Sequence, residues 1–314
     1  MSPNRILIAD RTHEVLEQKL RAAGFEVETD AALDREALVT KARDCCALVV
    51  RSKVAVDRHL IDRLPSLRCI GRVGAGMETI DVAYAESRGI RCLNSPEGNR
   101  DAVGEHTVAL LLALLDHVAK ADAEVRHGLW QREANRGREL GCLTVGIVGL
   151  GNMGRAFARR LAGFGCRVVA YDKYLPPDEG MEGVERMALG ELQEVADVVS
   201  FHVLLTAETR HYLDADFVSR MRHPFYVVNT ARGAVVHTET LVEAMKQGKV
   251  LGAALDVLEY EDMQADALGA APPALRYLQQ SPLTVLTPHV AGWTVESKFK
   301  LADVLADKMI ETLT

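Results

Sequence analysis

Residues 144–154 read Thr-Val-Gly-Ile-Val-Gly-Leu-Gly-Asn-Met-Gly, an apolar segment that runs into glycines spaced G-x-G-x-x-G. The first five residues, Thr144–Val148, are mostly apolar and β-branched, which is typical of a buried strand in a parallel sheet. Gly149 permits a tight turn after this strand, and Gly151 lets a phosphate group approach backbone N–H groups. Gly154 lets the following helix pack closely on the strand. The pattern predicts the strand, turn and helix that open a dinucleotide-binding unit.

A second predicted strand, Arg167–Tyr171, follows this helix and leads to Asp172. Asp172 lies 18 residues after Gly154, close to the spacing of about 20 residues expected for the acid that binds a ribose. A carboxylate accepts hydrogen bonds from ribose hydroxyls and repels a 2′-phosphate. We therefore expect the cofactor to be NAD rather than NADP.

The composition limits the classes of function. The chain has 314 residues, 48% of them hydrophobic, and a formal net charge of −7, which argues against nucleic acid or an anionic membrane as the main partner. The longest apolar run, Val108–Leu115, is too short to cross a bilayer, and the N-terminus shows no signal-peptide core. The six cysteines show no metal-ligand spacing. We expect no bound metal, reduced buried thiols and a cytoplasmic protein.

Predicted strands alternate with predicted helices along almost the whole chain, which is typical of α/β folds with a parallel sheet. We predict two Rossmann-like or flavodoxin-like α/β domains with parallel sheets and a cleft between them. A substrate domain is expected to comprise residues 1–98 plus 288–314, and an NAD-binding domain residues 99–287. The predicted strands are Arg5–Ile8, Glu26–Thr29, Ala47–Val50, Arg68–Val73 and Arg91–Leu93 in the first series, and residues 143–148, 167–171, 197–201, 225–229 and 250–255 in the second.

Three polar residues follow predicted strands of the second series. Arg232 comes after the strand Phe225–Val228, where an arginine can hold a carboxylate through two parallel N–H···O bonds. His289 follows another strand, and a histidine is well suited to moving a proton at neutral pH. Glu261 follows a third strand, and its carboxylate would orient His289; Glu259 is an alternative for this role. Together these residues predict acid–base chemistry on a substrate that carries a carboxylate.

Several motifs occur in a fixed order along the chain. They are Gly149–Gly154, Asn229–Gly233, Leu255–Val257 with Glu261, Thr287–Trp293, Gly71–Gly76 with Ile80 and Asp81, and Asn94–Pro96 with Val103–Glu105. In order and spacing this set resembles the NAD-dependent D-2-hydroxyacid dehydrogenase family, over nearly the whole chain. The resemblance implies NAD as cofactor and hydride transfer between NAD(H) and a D-2-hydroxy acid or its 2-oxo acid. No regulatory domain is expected after residue 314.

The resemblance also implies roles for individual residues. The implied catalytic residues are Arg232, Glu261 and His289. The residues implied to bind the cofactor are Gly149, Gly151, Asn152, Met153, Gly154, Asp172, His202, Thr230, Asp256 and Gly292, with Asp256 near the nicotinamide amide. The residues implied to bind the substrate are Arg51, Ser52, Gly74, Ala75, Gly76 and Asn99, with the loop 74–76 offering N–H groups to the substrate carboxylate.

The substrate hypothesis depends on the segment 51–53, which follows the predicted strand Ala47–Val50. Side chains alternate along an extended segment, so Arg51 and Lys53 can point the same way and meet a second anionic group. Our prediction is D-3-phosphoglycerate, oxidised by a phosphoglycerate dehydrogenase-like enzyme of serine biosynthesis. Glyoxylate, hydroxypyruvate or another 2-oxo acid is the alternative substrate. A non-catalytic NAD(H)-sensing module similar to the corepressors of this family is the alternative function.

A long helical pattern runs from about Asp101 to Gly128. Its section Val108–Leu115 is apolar on all sides, so we expect it to be covered by another domain or subunit. This helix and the region of Trp130 resemble the dimer-forming segment of the family. We therefore expect a homodimer.

Overall fold

The computed structural model describes residues 4–176, 179–262, 267–268 and 272–314. The chain divides into two compact units, one formed by Met1–Arg100 with Trp293–Thr314 and one by Asp101–Gly292. The junctions predicted from the sequence were after residues 98 and 287, and the observed ones are after residues 100 and 292. The first unit is discontinuous in sequence, whereas the second is one continuous stretch.

The first unit contains a parallel sheet of five strands in the order β2-β1-β3-β4-β5. Its strands are β1 (Arg5–Ile8), β2 (Glu26–Thr29), β3 (Ala47–Val50), β4 (Cys69–Arg72) and β5 (Arg91–Asn94). Its helices are α1 (Glu14–Ala22), α2 (Arg35–Ala42), α3 (Arg58–Ile61), α4 (Val82–Ser87) and, last in chain order, α12 (Val295–Leu313). The predicted bounds of these strands were within one residue of those observed.

Helix α12 completes the core of the first unit, although it follows the whole of the second unit in sequence. Leu301 and Leu305 of this helix are buried in one cluster with Ile6 of β1. Gly71 in β4 allows the helix to approach, since a Cβ placed on Gly71 would lie 2.8 Å from the sulfur of Met309. The core of the first unit is therefore built from both of its segments.

The second unit contains a parallel sheet of seven strands in the order β14-β11-β10-β9-β6-β7-β8. Its strands are β6 (Thr144–Val148), β7 (Arg167–Tyr171), β8 (Glu185–Arg186), β9 (Val198–Phe201), β10 (Phe225–Asn229), β11 (Val250–Leu255) and β14 (Thr284–Leu286), with a separate antiparallel pair β12 (Glu261–Asp262) and β13 (Ala267–Leu268). Its helices are α5 (Arg100–Leu115), α6 (Val118–Arg126), α7 (Asn152–Leu161), α8 (Leu189–Val195), α9 (Ala215–Arg220), α10 (Thr238–Lys246) and α11 (Pro273–Gln280).

The strand order of the second sheet reverses between β6 and β9, which pair in parallel. In open parallel sheets, ligands bind beside the carboxyl ends of the strands at such a point. The glycine turn follows β6 at this edge, and other polar residues singled out in the sequence follow β9, β10, β11 and β14. The fold therefore gathers the chemistry-bearing residues of this unit along one side of one sheet.

The prediction of one long helix over 101–128 is wrong, because two helices, α5 and α6, meet there at an angle of 62°. His117 lies at the break and has a left-handed backbone with φ 54°. Arg138 donates its backbone N–H to the carbonyl oxygen of Leu115 at 3.1 Å. In a continuous helix, the carbonyl oxygen of Leu115 would instead accept an N–H from the next helical turn.

Helix α5 packs into the core of its own unit. Leu110, Leu111 and Leu114 are buried in one cluster with Val145 and Ile147 of β6. The second unit thus covers by itself one side of the apolar run that was expected to need another domain or subunit. Among the described residues, no single helix is long and apolar enough to cross a membrane, and α5 and α6 reach that threshold only when the bent pair is counted together.

Candidate active site

The glycine turn after β6 allows a ligand to approach the backbone. Gly149 has a left-handed backbone with φ +95°, and a Cβ there would lie 2.7 Å from a carbonyl oxygen of the loop after β9. A Cβ on Gly154 would lie 2.0 Å from the carbonyl oxygen of Gly149, whereas a Cβ on Gly151 would meet nothing within 4 Å. Asn152 and Met153 begin α7, and the N–H groups at the start of a helix attract phosphate. This open cradle fits the pyrophosphate of a dinucleotide.

Asp172 follows the last residue of β7 and bonds to the glycine turn after β6. Its carboxylate accepts the backbone N–H of Leu150 at 2.7 Å and those of Tyr174 and Leu175 at 2.9 and 3.1 Å. A carboxylate offers about four acceptor positions, so capacity remains for a ribose hydroxyl. The acid is therefore fixed in place beside the turn by the backbone.

Two cations close to Asp172 in sequence or space have partners of their own. Arg155 donates to the carbonyl oxygens of Leu150 and Gly180 at 3.0 and 2.9 Å. Lys173 pairs with Glu208. These contacts direct both cations to other partners, which favours a ribose without a 2′-phosphate.

Four further residues are assigned to the cofactor by resemblance, His202, Thr230, Asp256 and Gly292, and all four lie in the second unit. Nε2 of His202 lies 2.8 Å from the hydroxyl of Ser200, and its buried Nδ1 has no hydrogen-bond partner among the described residues. Burial lowers the pKa of His202 from 6.5 to about 3, so the ring is neutral. Thr230 is buried, with its hydroxyl 3.1 Å from that of Thr107 in α5. Gly292 is the last residue of the unit.

His289 and Glu261 form a pair beside the ends of β14 and β11. Nδ1 of His289 lies 3.2 and 3.3 Å from the two carboxylate oxygens of Glu261. The side chains are 26% and 19% exposed. Because Nδ1 faces the carboxylate, Nε2 is the ring nitrogen that can exchange a proton with a substrate. His289 has φ 55°, which is uncommon for a residue other than glycine.

The buried carboxylate of Asp256 holds the loop that carries His289. It accepts the N–H groups of Val290 and Ala291 at 2.9 and 2.8 Å and the hydroxyl of Thr287 at 2.6 Å. The backbone carbonyl of Asp256 accepts the N–H of His289 at 2.7 Å. Burial by itself raises the pKa of Asp256, but hydrogen bonds from side chains and backbone outweigh it, so that the pKa lies below its usual value. The charged carboxylate therefore stabilises an uncommon backbone conformation.

His106 of α5 was not predicted as a site residue. Its Nε2 lies 3.1 Å from the hydroxyl of Thr287 and 3.5 Å from the carboxylate of Asp256. Its position next to the motif Val103–Glu105, just before an apolar helical run, was the available signal. His106 extends the network that supports the His289 loop.

Arg232 follows β10 in a loop that Asn229 braces. The Asn229 side chain accepts the N–H of Ala231 at 3.0 Å and donates to the carbonyl oxygen of Arg232 at 2.9 Å. The guanidinium is half-buried, and its Nη1 donates to the carbonyl of Ala231 at 2.7 Å. Because β10, β11 and β14 are neighbours in the sheet, the loops of Arg232, Glu261 and His289 follow adjacent strand ends.

Glu259 lies two residues before Glu261 but has different partners. Its carboxylate lies 2.5 Å from Nε2 of His211 and accepts the backbone N–H and the hydroxyl of Thr238 at 3.1 and 2.7 Å. Burial raises the pKa of Glu259, but these hydrogen bonds outweigh it and lower the pKa overall. Of the two glutamates that the sequence left open, Glu261 is the one beside His289.

The residues predicted to bind the substrate lie in the first unit, after β3, β4 and β5. Arg51 and Ser52 follow β3, and both are partly exposed. The guanidinium carbon of Arg51 lies 5.5 Å from the ring centroid of Trp293, which is a cation–π contact. Asn99 lies beyond β5, and its Oδ1 is buried with no hydrogen-bond partner in the part of the chain that the structure describes.

The loop 74–76 follows β4. The carbonyl oxygen of Gly74 accepts the N–H of Ser95 at 3.0 Å, and that of Ala75 accepts the side-chain amide of Asn94 at 2.6 Å. Gly74 has φ +152°, and a Cβ there would overlap the guanidinium of Arg72. The loop, which ends at Gly76, is thus anchored through carbonyl groups rather than through its N–H groups.

These residues offer four chemical functions. The glycine turn can hold phosphate, Asp172 can accept ribose hydroxyls, Arg232 can bind a carboxylate, and His289 with Glu261 can move a proton. Within the ranges described, no group of three or more His, Cys, Asp or Glu side chains is arranged to hold a metal ion.

Comparison with known proteins identifies the family to which the chain belongs. Residues 108–291 match the NAD binding domain of the family described as D-isomer specific 2-hydroxyacid dehydrogenase. The D-3-phosphoglycerate dehydrogenase of Methanocaldococcus jannaschii is 35% identical over 312 residues, which are 98% of this chain and 57% of that protein. The hydroxypyruvate reductase of Thermotoga maritima is 34% identical over 288 residues, which are 91% of this chain and 90% of that protein.

A similar solved structure is that of the TT0316 protein from Thermus thermophilus. It matches with a TM-score of 0.81 and 32% sequence identity, over 98% of this chain and 96% of that one. The chain spans somewhat more than half the length of the D-3-phosphoglycerate dehydrogenases that it matches. The second unit is an NAD-binding domain, and the chain belongs to the D-isomer specific 2-hydroxyacid dehydrogenase family.

Proposed function

We propose that the protein is an NAD(H)-dependent D-2-hydroxyacid dehydrogenase. The observation that carries this proposal is the His289–Glu261 pair, in which Nδ1 faces the carboxylate at 3.2 Å and Nε2 is left for the substrate. In oxidation, Nε2 takes the hydroxyl proton while the carbon loses a hydride and the C–O bond becomes a carbonyl. In reduction, His289 returns that proton to the oxygen. Bound NAD supplies the acceptor of the hydride, and bound NADH supplies its donor.

The neighbouring charges assist each direction of the reaction. Glu261 stabilises the positive ring that His289 acquires when it accepts a proton. Arg232 can bind the substrate carboxylate with two parallel N–H···O bonds. Its positive charge also stabilises the oxygen that becomes negative as a carbonyl is reduced.

We further propose D-3-phosphoglycerate as the substrate, in the route to serine. Arg51 follows β3 with its guanidinium stacked on Trp293, and a stacked guanidinium keeps its N–H edge available for phosphate. Lys53, exposed two residues later, adds a second positive charge. The D-3-phosphoglycerate dehydrogenase of Methanocaldococcus jannaschii is among the similar proteins, which supports this choice.

Reduction of hydroxypyruvate, glyoxylate or another unphosphorylated 2-oxo acid is the second candidate. It is favoured by the similarity to the hydroxypyruvate reductase of Thermotoga maritima, 90% of which this chain covers. In that case the cation–π contact of Arg51 with Trp293 serves to stabilise the loop rather than to bind phosphate. The two candidates differ in what Arg51 contributes to catalysis.

A substrate panel separates the candidates. With NADH as donor, the purified chain should reduce 3-phosphohydroxypyruvate with a higher kcat/KM than hydroxypyruvate, glyoxylate or pyruvate. Arg51→Ala should raise the KM for the phosphorylated acid by roughly 10–150-fold, because a charge-assisted hydrogen bond contributes about 1.5–3 kcal/mol. It should leave the KM for hydroxypyruvate nearly unchanged. Arg43→Ala, at an exposed position just after α2, is the matched control.

Each other outcome has a defined meaning. Equal efficiency with phosphorylated and unphosphorylated acids would reject the phosphoglycerate assignment and leave the second candidate. Tight NADH binding without reduction of any 2-oxo acid would reject the dehydrogenase proposal in favour of an NAD(H)-sensing module.

The proposal includes a homodimer in a reducing compartment such as the cytoplasm. Val118 and Val125 lie on one face of α6 and are 53% and 52% exposed, and Leu129 and Trp130 follow at 47% and 79%. Such an apolar patch is typical of a protein–protein interface. All six cysteines are free thiols, which fits a reducing environment.

A further inference from the structure

We propose that Glu259 is a positioning residue whose contacts with His211 and Thr238 fix the turn that presents Glu261 to His289. The inference rests on the proposed dehydrogenase function and assigns a role to the glutamate that is not beside His289. It concerns only residues of the second unit. The turn between β11 and β12 contains Glu259 and leads directly into Glu261, the first residue of β12.

The carboxylate of Glu259 connects this turn to two other segments. Its contacts reach Nε2 of His211 at 2.5 Å and the backbone N–H and hydroxyl of Thr238, the first residue of α10, at 3.1 and 2.7 Å. The side chain is 16% exposed. A partly buried carboxylate with three such partners holds its own backbone strongly.

The peptide group next to Glu259 is held from the opposite direction. A Cβ placed on Gly233 would lie 2.0 Å from the carbonyl oxygen of Leu258 and 2.5 Å from the nitrogen of Glu259. Gly233 is the residue after Arg232. The close contact therefore joins the loop of the proposed carboxylate-binding arginine to the turn that contains Glu259 and precedes Glu261.

His211 is itself held in one position. Its backbone is left-handed, with φ 55°, and its N–H donates to the carbonyl oxygen of Ala234 at 2.7 Å. Its ring packs edge-on against that of His237, with centroids 4.6 Å apart. A further charged group on this side is Glu239, which lies 3.6 Å from Nε2 of His237 and accepts the hydroxyl of Tyr260 at 2.8 Å.

A small displacement of the Glu259 backbone would also displace Glu261. The turn is short, and the N–H of Glu261 donates to the carbonyl oxygen of Leu258 at 3.3 Å. The distances of 3.2 and 3.3 Å between Glu261 and His289 lie at the long end of the hydrogen-bond range. A shift of a few tenths of an ångström is therefore enough to break this contact.

The test compares Glu259→Gln with Tyr260→Phe. Glu259→Gln keeps the size of the side chain but removes its charge, and should lower kcat for 2-oxo acid reduction by about 10-fold, since small misplacements of catalytic groups are costly. The KM for NADH should stay within about twofold. Tyr260→Phe removes the hydroxyl contacts of the neighbouring residue with Glu239 and Thr238 but keeps the Glu259 carboxylate and its contact with His211, and should leave kcat unchanged.

Two readouts distinguish positioning from general loss of structure. In Glu259→Gln the loss should appear in kcat while the KM for NADH stays close to that of the wild type, a split that a general loss of structure would not give. When Glu261→Gln is already present, adding Glu259→Gln should have no further effect on kcat, because the effects of two substitutions that act through one contact are not additive. An additive loss, or an unchanged kcat in Glu259→Gln, would overturn the proposal.

A second variant and a structural measurement complete the test. If Glu259→Gln does not fold, His211→Asn removes the same contact while tolerating the left-handed backbone. A crystal structure of either variant without cofactor should show Glu261 more than about 3.5 Å from Nδ1 of His289, beyond hydrogen-bond reach. An unchanged distance overturns the positioning role, whereas a wild type that reduces no 2-oxo acid overturns only the proposed function.

Discussion

At the level of single residues, His289 combines proton chemistry with an uncommon backbone. Its left-handed conformation turns the ring toward Glu261, and Asp256 stabilises that conformation through three hydrogen bonds to the loop around it. Uncommon backbone conformations concentrate at functional sites, where the surrounding structure maintains them. The geometry of His289 is thus set largely by a residue that does not itself move protons.

Replacing His289 tests its role without disturbing the backbone. His289→Asn tolerates a left-handed backbone and should lower kcat by about 10²–10⁴-fold, the usual effect of losing a general acid–base. The KM for NADH should change little. His223→Asn, at an exposed histidine of the same unit, is the control. Turnover of His289→Asn close to that of the wild type would show that another group moves the proton.

Asp172 should determine the choice of cofactor. Asp172→Asn removes the charge that repels a 2′-phosphate, so the ratio of kcat/KM for NADPH to that for NADH should rise by about tenfold, equivalent to about 1.4 kcal/mol. Steady-state kinetics with both cofactors measure this ratio. Glu182→Gln, at an exposed site of the same unit, should leave it unchanged. A wild type that uses NADPH as well as NADH would contradict the argument.

At the level of elements, local pattern predicted the strands well but not the end of α5. The central strands, such as β3, β9 and β10, are short buried runs that are mostly apolar, so their own residues carry the signal. The break at His117 depends on Arg138, which lies far along the chain and bonds to Leu115. The sequence likewise left open whether Glu259 or Glu261 lies beside His289. The contact that distinguishes the two glutamates joins Glu259 to His211, which is 48 residues away in the sequence. Sequence pattern reports burial better than it reports long-range polar contacts.

The contact between the glycine turn and α7 can be tested with alanine. Gly154→Ala would place a Cβ 2.0 Å from the carbonyl oxygen of Gly149, so it should lower the free energy of unfolding by about 1–3 kcal/mol and weaken NADH binding. Gly190→Ala, in α8 with nothing within 4 Å of the added carbon, should raise stability by up to about 1 kcal/mol. Urea unfolding and NADH titration measure both effects, and equal stability of the two variants would argue against the close packing.

For the whole molecule, stability should fall as the solution becomes mildly acidic. Burial lowers the pKa of His202 to about 3, whereas an unfolded chain has a histidine pKa near about 6.5. Below about pH 6.5 the unfolded state therefore binds a proton that the folded state does not, and stability decreases by about 1.4 kcal/mol per pH unit. Asp256 and Glu259, whose pKa values are lowered, add a further loss only below about pH 4.5.

Urea unfolding at about pH 7 and about pH 5 measures this effect. His202→Gln should remove about 2 kcal/mol of the difference between the two pH values. His223→Gln, at an exposed histidine, should not change it. The same pH dependence in wild type and His202→Gln would contradict the assignment of a neutral buried ring.

The proposed dimer can be tested at the exposed apolar patch of α6 and the residues after it. Light scattering at micromolar concentration should give twice the 34.4 kDa of one chain. The double variant Val125→Arg with Trp130→Arg should be monomeric, because charges on an apolar interface are costly to bury. Tyr174→Arg changes another aromatic residue that is 77% exposed and should remain dimeric. A wild type with the mass of one chain would rule out the dimer.

The position of α12 in the sequence also sets an order of events during translation. Residues 101–292 leave the ribosome as a complete unit and can fold at once, whereas the sheet β1–β5 must wait for α12 to cover Ile6 and its neighbours. Until then the nascent chain exposes apolar surface of the kind that chaperones bind. Stalled chains that end before residue 295 should therefore contain a protease-resistant second unit beside a protease-sensitive N-terminal segment.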